Sequence, residues 1–565
     1  MTEADALFAR ALALEDAGEP ERALEHYRRV LALAPAHPDA WHNHGLLLAR
    51  LGRLEEAERS HRSYVEVHPG SARARADLAD VLLARGRYQP AVETLEPVPA
   101  AGAESAPLMV RRGVAQACLR RFDEARASFA LARSRDAKAV TDFLARLAPG
   151  ADSQAMLYPE NIYLWRCYRD QGRCDWAEWD AYVAQMRAVI EREEVALEPA
   201  VAFMAFHLPL SGAERHALAR KVSERIEAKA PVLPAPGPRR DGRIRVGVLS
   251  PDLREHLNAY LLLPLFELLD RERFEVRAYS LAPDDGSAIR ARVRSAADGF
   301  RDLHALPDRE AALAIRGDGI DILLDAAGHA TGGRFAITAQ RPARVQVAYL
   351  GFAGSLGSTR VDYAIADRVA GRDESEWSEQ LVHLPSTYFL YDFRDARPKA
   401  DVSRAAYGLP AGAFVYCAFH KPEKIAPDAF GLWMEVLARV PHAVLWLLSM
   451  SPEASGNLRA HAAARGVDPS RLHFAPFDAR ERYLARQALG DLLLDAIHHS
   501  AMTTACDALG AGMPLLTVRG AAFAGRAGES LLRAAGLPEL VAAGPRADVE
   551  SAVRLALEPG VLAGT

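Results

Sequence analysis

Leu492-Leu-Leu-Asp-Ala-Ile-His-His-Ser-Ala-Met-Thr-Thr-Ala-Cys-Asp507 reads as a short buried strand, a polar loop and a helix that opens at Thr503 and Thr504. Three consecutive leucines need apolar cover on both faces, which a parallel sheet provides. A helix start leaves backbone N–H groups without intrahelical acceptors, and two hydroxyls beside them complete an anion site. Asp507, one turn further in, is placed to accept hydrogen bonds from ribose hydroxyls. Plain capping of the helix by the threonines is the alternative reading of the same residues.

The neighbouring sequence repeats this texture. Phe414-Val-Tyr-Cys-Ala-Phe419, Ala443-Val-Leu-Trp-Leu-Leu448 and Leu515-Leu-Thr517 read as strands, with helices over 428–439 and from about 503. Upstream, Ile244-Arg-Val-Gly-Val-Leu249, Phe274-Glu-Val-Arg-Ala-Tyr-Ser280 and Ile320-Asp-Ile-Leu-Leu324 are further strands, and 259–269 is a helix. Strands alternating with helices make a doubly wound parallel sheet, and a second start after a polar stretch at 392–403 makes two. Ligands of such sheets lie at the carboxyl ends of the strands, in the cleft between the lobes.

The first part of the chain has a different texture. Small residues recur at an offset of 34 at Ala11, Gly45, Ala79 and Gly113, as do Gly18, Gly52 and Gly86, and Ala23, Ala57, Ala91 and Ala125. That period, with Tyr27, His61 and Phe129 at the large position and Pro35 and Pro69 closing two units, is the tetratricopeptide signature. The small residues sit where paired helices cross closely, and the glycines turn the chain between them. From 141 to 228 the pattern stays helical without the repeat, and Ala230-Pro-Val-Leu-Pro-Ala-Pro-Gly-Pro238 is a linker. The expected organisation is repeats over 1–140, a helical connector and proline-rich linker over 141–238, a first Rossmann-like lobe over 239–400 and a nucleotide-binding lobe over 401–565. The fold class is therefore an α-solenoid followed by α/β lobes.

Composition excludes several classes. The 565 residues carry a formal charge of -5, which gives no electrostatic pull toward nucleic acid. The five cysteines are scattered and form no C-x-x-C pair, which fits neither a disulfide framework nor a zinc knuckle. No apolar run reaches the roughly 18 residues of a membrane span, and the first twenty residues are acidic and unlike a signal peptide, so a cytoplasmic protein is expected. Neither the Walker motif nor G-x-G-x-x-G occurs, which disfavours an ATPase or a nicotinamide enzyme. No Asp-x-Asp pair is present, so no metal and no cofactor is expected.

Two further strand ends supply candidates. Ser250-Pro-Asp-Leu-Arg-Glu-His256 follows the first strand and brings His256 to the cleft mouth, where capping of the next helix is the competing role. His420, Lys421 and Lys424 follow the strand at 414–419, where a lysine neutralises charge on a leaving diphosphate.

Together with the repeats, Val246-Gly-Val-Leu-Ser-Pro-Asp-Leu-Arg-Glu-His256, Asp318-Gly-Ile-Asp-Ile-Leu-Leu-Asp-Ala-Ala-Gly-His329, Arg341-Pro-Ala-Arg-Val-Gln346, Val361-Asp-Tyr363 and Val440-Pro-His-Ala-Val-Leu-Trp-Leu-Leu448 resemble the O-linked N-acetylglucosamine transferase and Spindly family of GT-B enzymes. The resemblance implies an inverting, metal-independent transfer to Ser or Thr hydroxyls of a protein held by the repeats. It assigns His256 and Lys424 to the catalytic set and gives Asp318 a proton-relay role. It places Tyr483 and Arg486 near the nucleotide base, Thr503 and Thr504 on phosphate and Asp507 on ribose. Met502 stands where the animal pattern has histidine, and His420-Lys421 replaces an amide-rich pair. These departures leave the donor open among UDP-N-acetylglucosamine, taken first, GDP-fucose and another nucleotide sugar. Flagellin is one expected acceptor. A repeat scaffold with decayed lobes, or transfer to a glycan or lipid, remains the alternative.

Overall fold

The computed structural model describes residues 2–96, 106–149, 151–235, 242–394, 400–558 and 560. It divides into two compact units, residues 1–166 and 167–565. The end of the proline-rich linker, 236–238, lies outside the described residues.

The first unit is built from helical hairpins. They are Glu3–Asp16 with Pro20–Leu33, Pro38–Arg50 with Leu54–Val67, Ala72–Ala84 with Tyr88–Leu95, and Ala106–Cys118 with Phe122–Leu147. Within each pair the crossing is as close as the repeat requires: a Cβ on Gly45 would lie 2.3 Å from the His61 ring, and one on Gly113 would lie 2.5 Å from Phe129. Gly18, Gly52 and Gly86 turn the chain with left-handed φ of 74°, 74° and 71°. The fourth place in that register is Arg120, and it takes the same conformation, φ 61°. The last helix contains one non-helical residue, Asp136 (φ -155°, ψ 93°), in the register of the helix-ending Ala34 and His68. Its side chain accepts from the Ala139 amide at 2.9 Å, so Asp136 ends one helix and caps the next.

The second unit carries two parallel sheets. In the first lobe the strands are β1 (Ile244–Ser250), β2 (Phe274–Ser280), β3 (Gly299–Asp302), β4 (Ile322–Asp325), β5 (Val345–Ala348), β6 (Tyr363–Asp367) and β7 (Gln380–Leu384), in the order β3-β2-β1-β4-β5-β6-β7. In the second they are β8 (Phe414–Ala418), β9 (Ala443–Leu448), β10 (Leu472–Ala475), β11 (Leu492–Leu494), β12 (Leu515–Val518) and β13 (Val541–Ala542), in the order β10-β9-β8-β11-β12-β13. In each sheet the order reverses beside the first strand, at β1/β4 and at β8/β11, and those are the switch points where ligands of such sheets bind.

The lobes are tied below the cleft by a buried pair, Arg526 to Glu376 at 2.8 and 3.2 Å, and by Ser530 donating to Asp367 at 2.6 Å. The connector packs on both lobes. His461 stacks on Trp176 with centroids 4.4 Å apart, and Ser223 donates to the Leu356 carbonyl at 2.6 Å.

Candidate functional site

Three strand ends converge on the cleft. β8 ends at Ala418, and its continuation runs through His420, Lys421 and Lys424. The His420 ring is buried, bonded to the Leu494 carbonyl at 2.8 Å and stacked on Trp433 at 5.9 Å. It joins the ends of β8 and β11 rather than offering itself to a ligand. Lys424 Nζ donates to the Ser500 carbonyl at 3.0 Å, and burial pulls its pKa down to about 8. The exposed Lys421 lies three residues earlier on the same turn.

The loop after β11 is shaped by Asp495. Its carboxylate accepts from the Ala501 amide at 2.6 Å, from Thr517 Oγ1 at 2.7 Å and from the Ser500 hydroxyl. The Gly528 amide donates to Ser500 Oγ at 2.9 Å, and a Cβ on Gly528 would lie 2.6 Å from Asp495. This bracing sets the N-terminus of the helix Thr503–Gly510 beside Lys424, because Ser500 belongs to both arrangements. Met502 leads into that helix with φ -105° and ψ -94°. The leading N–H groups of Thr503 and Thr504 have no intrahelical acceptor. Behind the loop, His499 and His207 are buried with their Nδ1 atoms 3.3 Å apart, and burial followed by the Lys424 charge holds both well below the usual imidazole range.

The remaining second-lobe candidates are less accessible than the sequence suggests. Asp507 is fully buried and already occupied: Arg480 donates to its two oxygens at 2.5 and 2.8 Å, and the Tyr391 hydroxyl is a third donor. It is therefore no open ribose acceptor in this state. Arg486 is 2 % exposed, donates to the Pro476 carbonyl at 2.6 Å and Asp478 at 3.0 Å, and lies under the Tyr483 ring at 5.0 Å. It supports Tyr483 from inside the lobe instead of facing a base. Tyr483 in turn bonds Thr504, which links that aromatic ring to the helix start.

On the first lobe, His256 caps the helix Leu257–Leu268, accepting from the Asn258 amide at Nδ1, 3.2 Å away. Asp252 lies 3.4 Å from the same nitrogen. Burial lowers its pKa, Asp252 opposes this, and Lys421 of the other lobe lowers it further, so the two lobes sense each other across the cleft. A neutral imidazole that accepts at Nδ1 carries its proton on Nε2, so Nε2 can only donate. Asp318 is misplaced by the sequence reading. It precedes β4, at the amino edge of the sheet, where Arg301 donates to it at 2.7 Å and Tyr279 at 2.9 Å. A carboxylate saturated there is structural and stands away from the strand ends that form the cleft.

Between the strand ends lies a solvent-open space lined by Asn258, Tyr349, Phe352, His499, Met502 and Phe523 among others. Its rim is the loop after β5. Gly351 (φ 62°) has no room for a Cβ, which would lie 2.2 Å from the Ala326 carbonyl, and Leu350 before it is also left-handed at φ 56°. A leucine in that region is strained, and such strain concentrates at ligand sites. The sequence missed Arg480 and Tyr391. Arg480 lies three residues before Tyr483 on the helix Arg480–Gln487, and its guanidinium covers Tyr260 of the first lobe at 4.5 Å.

Comparison with known proteins places this geometry. Residues 8–66 and 48–112 match tetratricopeptide repeats, and residues 173–401 and 398–563 match glycosyl transferase family 41. A probable UDP-N-acetylglucosamine–peptide N-acetylglucosaminyltransferase, SEC, of Arabidopsis thaliana is 31 % identical over 388 residues, 64 % of this chain and 39 % of that protein. A probable SPINDLY enzyme of Solanum lycopersicum is 29 % identical over 55 % of this chain and 34 % of its own. The chain thus spans well under half the length of these relatives. A solved Thermobaculum terrenum O-GlcNAc transferase mutant superposes with a TM-score of 0.59 at 26 % identity, covering 100 % of this chain and 92 % of that one. Two Rossmann-like lobes in the GT-B manner, following a helical-repeat unit along the chain and matched by the family over residues 173–401 and 398–563, make this chain a member of glycosyl transferase family 41.

Proposed function

We propose that the chain is an inverting protein O-glycosyltransferase that moves a sugar from a nucleotide sugar, with UDP-N-acetylglucosamine first, to a Ser or Thr hydroxyl. The relatives named above support N-acetylglucosamine and a peptide acceptor, and the repeat unit supports a protein partner; flagellin is one such candidate. The observation that carries the reading is the shared Ser500 junction, where Lys424 and the start of the helix Thr503–Gly510 meet at the carboxyl edge of the second sheet. A diphosphate seated there meets one ammonium and a row of free N–H groups, all oriented before any ligand arrives.

In this scheme the acceptor hydroxyl attacks the anomeric carbon from the face opposite the diphosphate and gives up its proton to solvent water as the new bond forms. The bond from that carbon to the diphosphate oxygen breaks, and its electron pair leaves with the nucleotide. Lys424 and the helix amides stabilise the charge that develops on the departing oxygen. The field of a lysine and a helix terminus replaces a metal, so transfer proceeds in chelator. His256 Nε2–H holds an oxygen of the sugar or acceptor in line. The test is the intact mass of candidate acceptors, flagellin included, after incubation with the chain and each nucleotide sugar. An added N-acetylhexosamine supports the reading, and nucleotide-sugar binding with no mass gain on any protein favours a scaffold instead.

A further inference from the structure

Arg215 lies on the helix Gly212–Lys229 and is only 8 % exposed. Its Nη2 donates to the carbonyls of Leu208 at 3.0 Å and His498 at 3.3 Å, which leaves Nε and Nη1 buried without a hydrogen-bond partner. Glu376, the acid whose charge acts on it most, is engaged by Arg526, and Arg215 forms no ion pair among the described residues. Burial pulls its pKa down to about 10. A desolvated, uncompensated guanidinium is rare, because buried charges are normally paired.

The residue borders a second, solvent-open recess walled by Phe206, Phe352, Trp377 and Phe523. Trp377 Nε1, on the same wall, is another buried donor without a partner. Phe352, Trp377 and Phe523 also line the larger cleft, so the two spaces share walls. Through His498, Arg215 also touches the loop that carries Lys424's acceptor.

We infer that this recess binds a carboxylate carried on a ring-sized apolar or sugar body, held by the free nitrogens of Arg215 and by Trp377 Nε1. One guanidinium and one neutral N–H match a single negative charge. A phosphate dianion fits worse, because Glu376 lines the same recess. Aromatic walls suit the face of a ring, as in a uronate sugar, or the stem of an acidic side chain. Both bring a carboxylate in from the cleft, one on the donor and one on the acceptor. Only this choice of source rests on the function proposed above.

The site is tested without nucleotide, by calorimetric titration of the whole chain with benzoate and with benzamide, its neutral counterpart of equal size. Benzoate binds at least about tenfold more tightly, as a charge-assisted bond to guanidinium requires. Arg215→Met removes that preference, and Trp377→Phe, which keeps an aromatic ring but drops the N–H, reduces it roughly threefold. Arg215→Met also forfeits two bonds to backbone, so its melting temperature is compared with wild type, and Trp377→Phe carries the test if it does not fold. Equal binding of the two probes by wild type, or a preference that survives substitution, overturns the inference. UDP-glucuronate against UDP-glucose, and serine peptides flanked by Glu against Gln, then assign the carboxylate to donor or acceptor. Failure of every nucleotide sugar tried, UDP-N-acetylglucosamine and GDP-fucose included, to bind while the benzoate preference persists rejects the transferase reading and leaves this site standing.

Discussion

Lys424→Met removes the one lysine that reaches the Ser500 junction, and its consequence can be worked from the geometry. With a pKa of about 8, the ammonium is roughly nine-tenths charged at pH 7 and about one-tenth charged at pH 9 in the empty enzyme. The folded-state value lies below that of a free lysine, so the charge is complete at low pH and is lost as pH rises through about 8. Wild-type kcat/KM, which reports the free enzyme, therefore falls about tenfold between pH 7 and pH 9. Bound diphosphate returns the pKa upward, so kcat stays level over the same range. Removing one oriented electrostatic group from a developing charge costs about 10² to 10³ in turnover, with a smaller change in donor affinity. The Lys424→Met profile should be flat and low. Steady-state kinetics with a labelled donor from pH 6.5 to 9.5 provide the measurement. Turnover within about threefold of wild type, or a variant that keeps the alkaline fall, would refute the assignment of Lys424 to the leaving group.

Arg480→Ala leaves fully buried Asp507 with Tyr391 as its remaining partner, and an uncompensated buried charge costs about 3 to 5 kcal/mol, visible as a lower denaturation midpoint. Gly351→Ala forces a Cβ to 2.2 Å from the Ala326 carbonyl at a left-handed φ, so donor binding is lost. By contrast, Gly431→Ala, inside the helix Pro427–Arg439 with nothing within 4 Å, raises stability by about 0.5 to 1 kcal/mol in denaturant titration. In the repeat unit, burial lowers the pKa of both His44 and His61 to about 4, below their unfolded value near 6.5, so stability is full above that value and falls as pH drops from there toward 4. Neither ring nitrogen of His61 has a partner among the described residues, so His61→Phe, the ring found at Phe129, raises the stability of this unit by about 1 kcal/mol and lessens its loss in acid, as read by hydrogen exchange over residues 3–67.

What sequence could read was set by whether the physical signal is local. The 34-residue register is local, and Gly18, Gly52 and Gly86 mark the turns; Arg120 in the same backbone shows that the hairpin, once packed through Gly113 on Phe129, imposes the turn without a glycine. The strands β8, β9 and β11 were legible because they are internal and continuously apolar, and β1 and β2 because apolar residues recur at every second position. Gly299-Phe-Arg-Asp302 and Gln380-Leu-Val-His-Leu384 lie at opposite edges of the first sheet, where one neighbour and more solvent permit charged residues and erase the pattern. Lys424, Thr503 and Thr504 could be picked out as candidates because strand ends and helix starts announce themselves. Asp318 was misjudged because a motif gives residue order and not which edge of the sheet the residue occupies; its place before β4 fixes it on the side away from the cleft. Arg480 and Tyr391 stand 27 and 116 residues from Asp507, so no spacing rule joins them, yet they decide whether that carboxylate is free. In the proposed transferase, a ribose that reaches Asp507 displaces or joins an existing ion pair whose guanidinium also covers Tyr260 of the opposite lobe, and that reading couples nucleotide binding to the contact between the lobes.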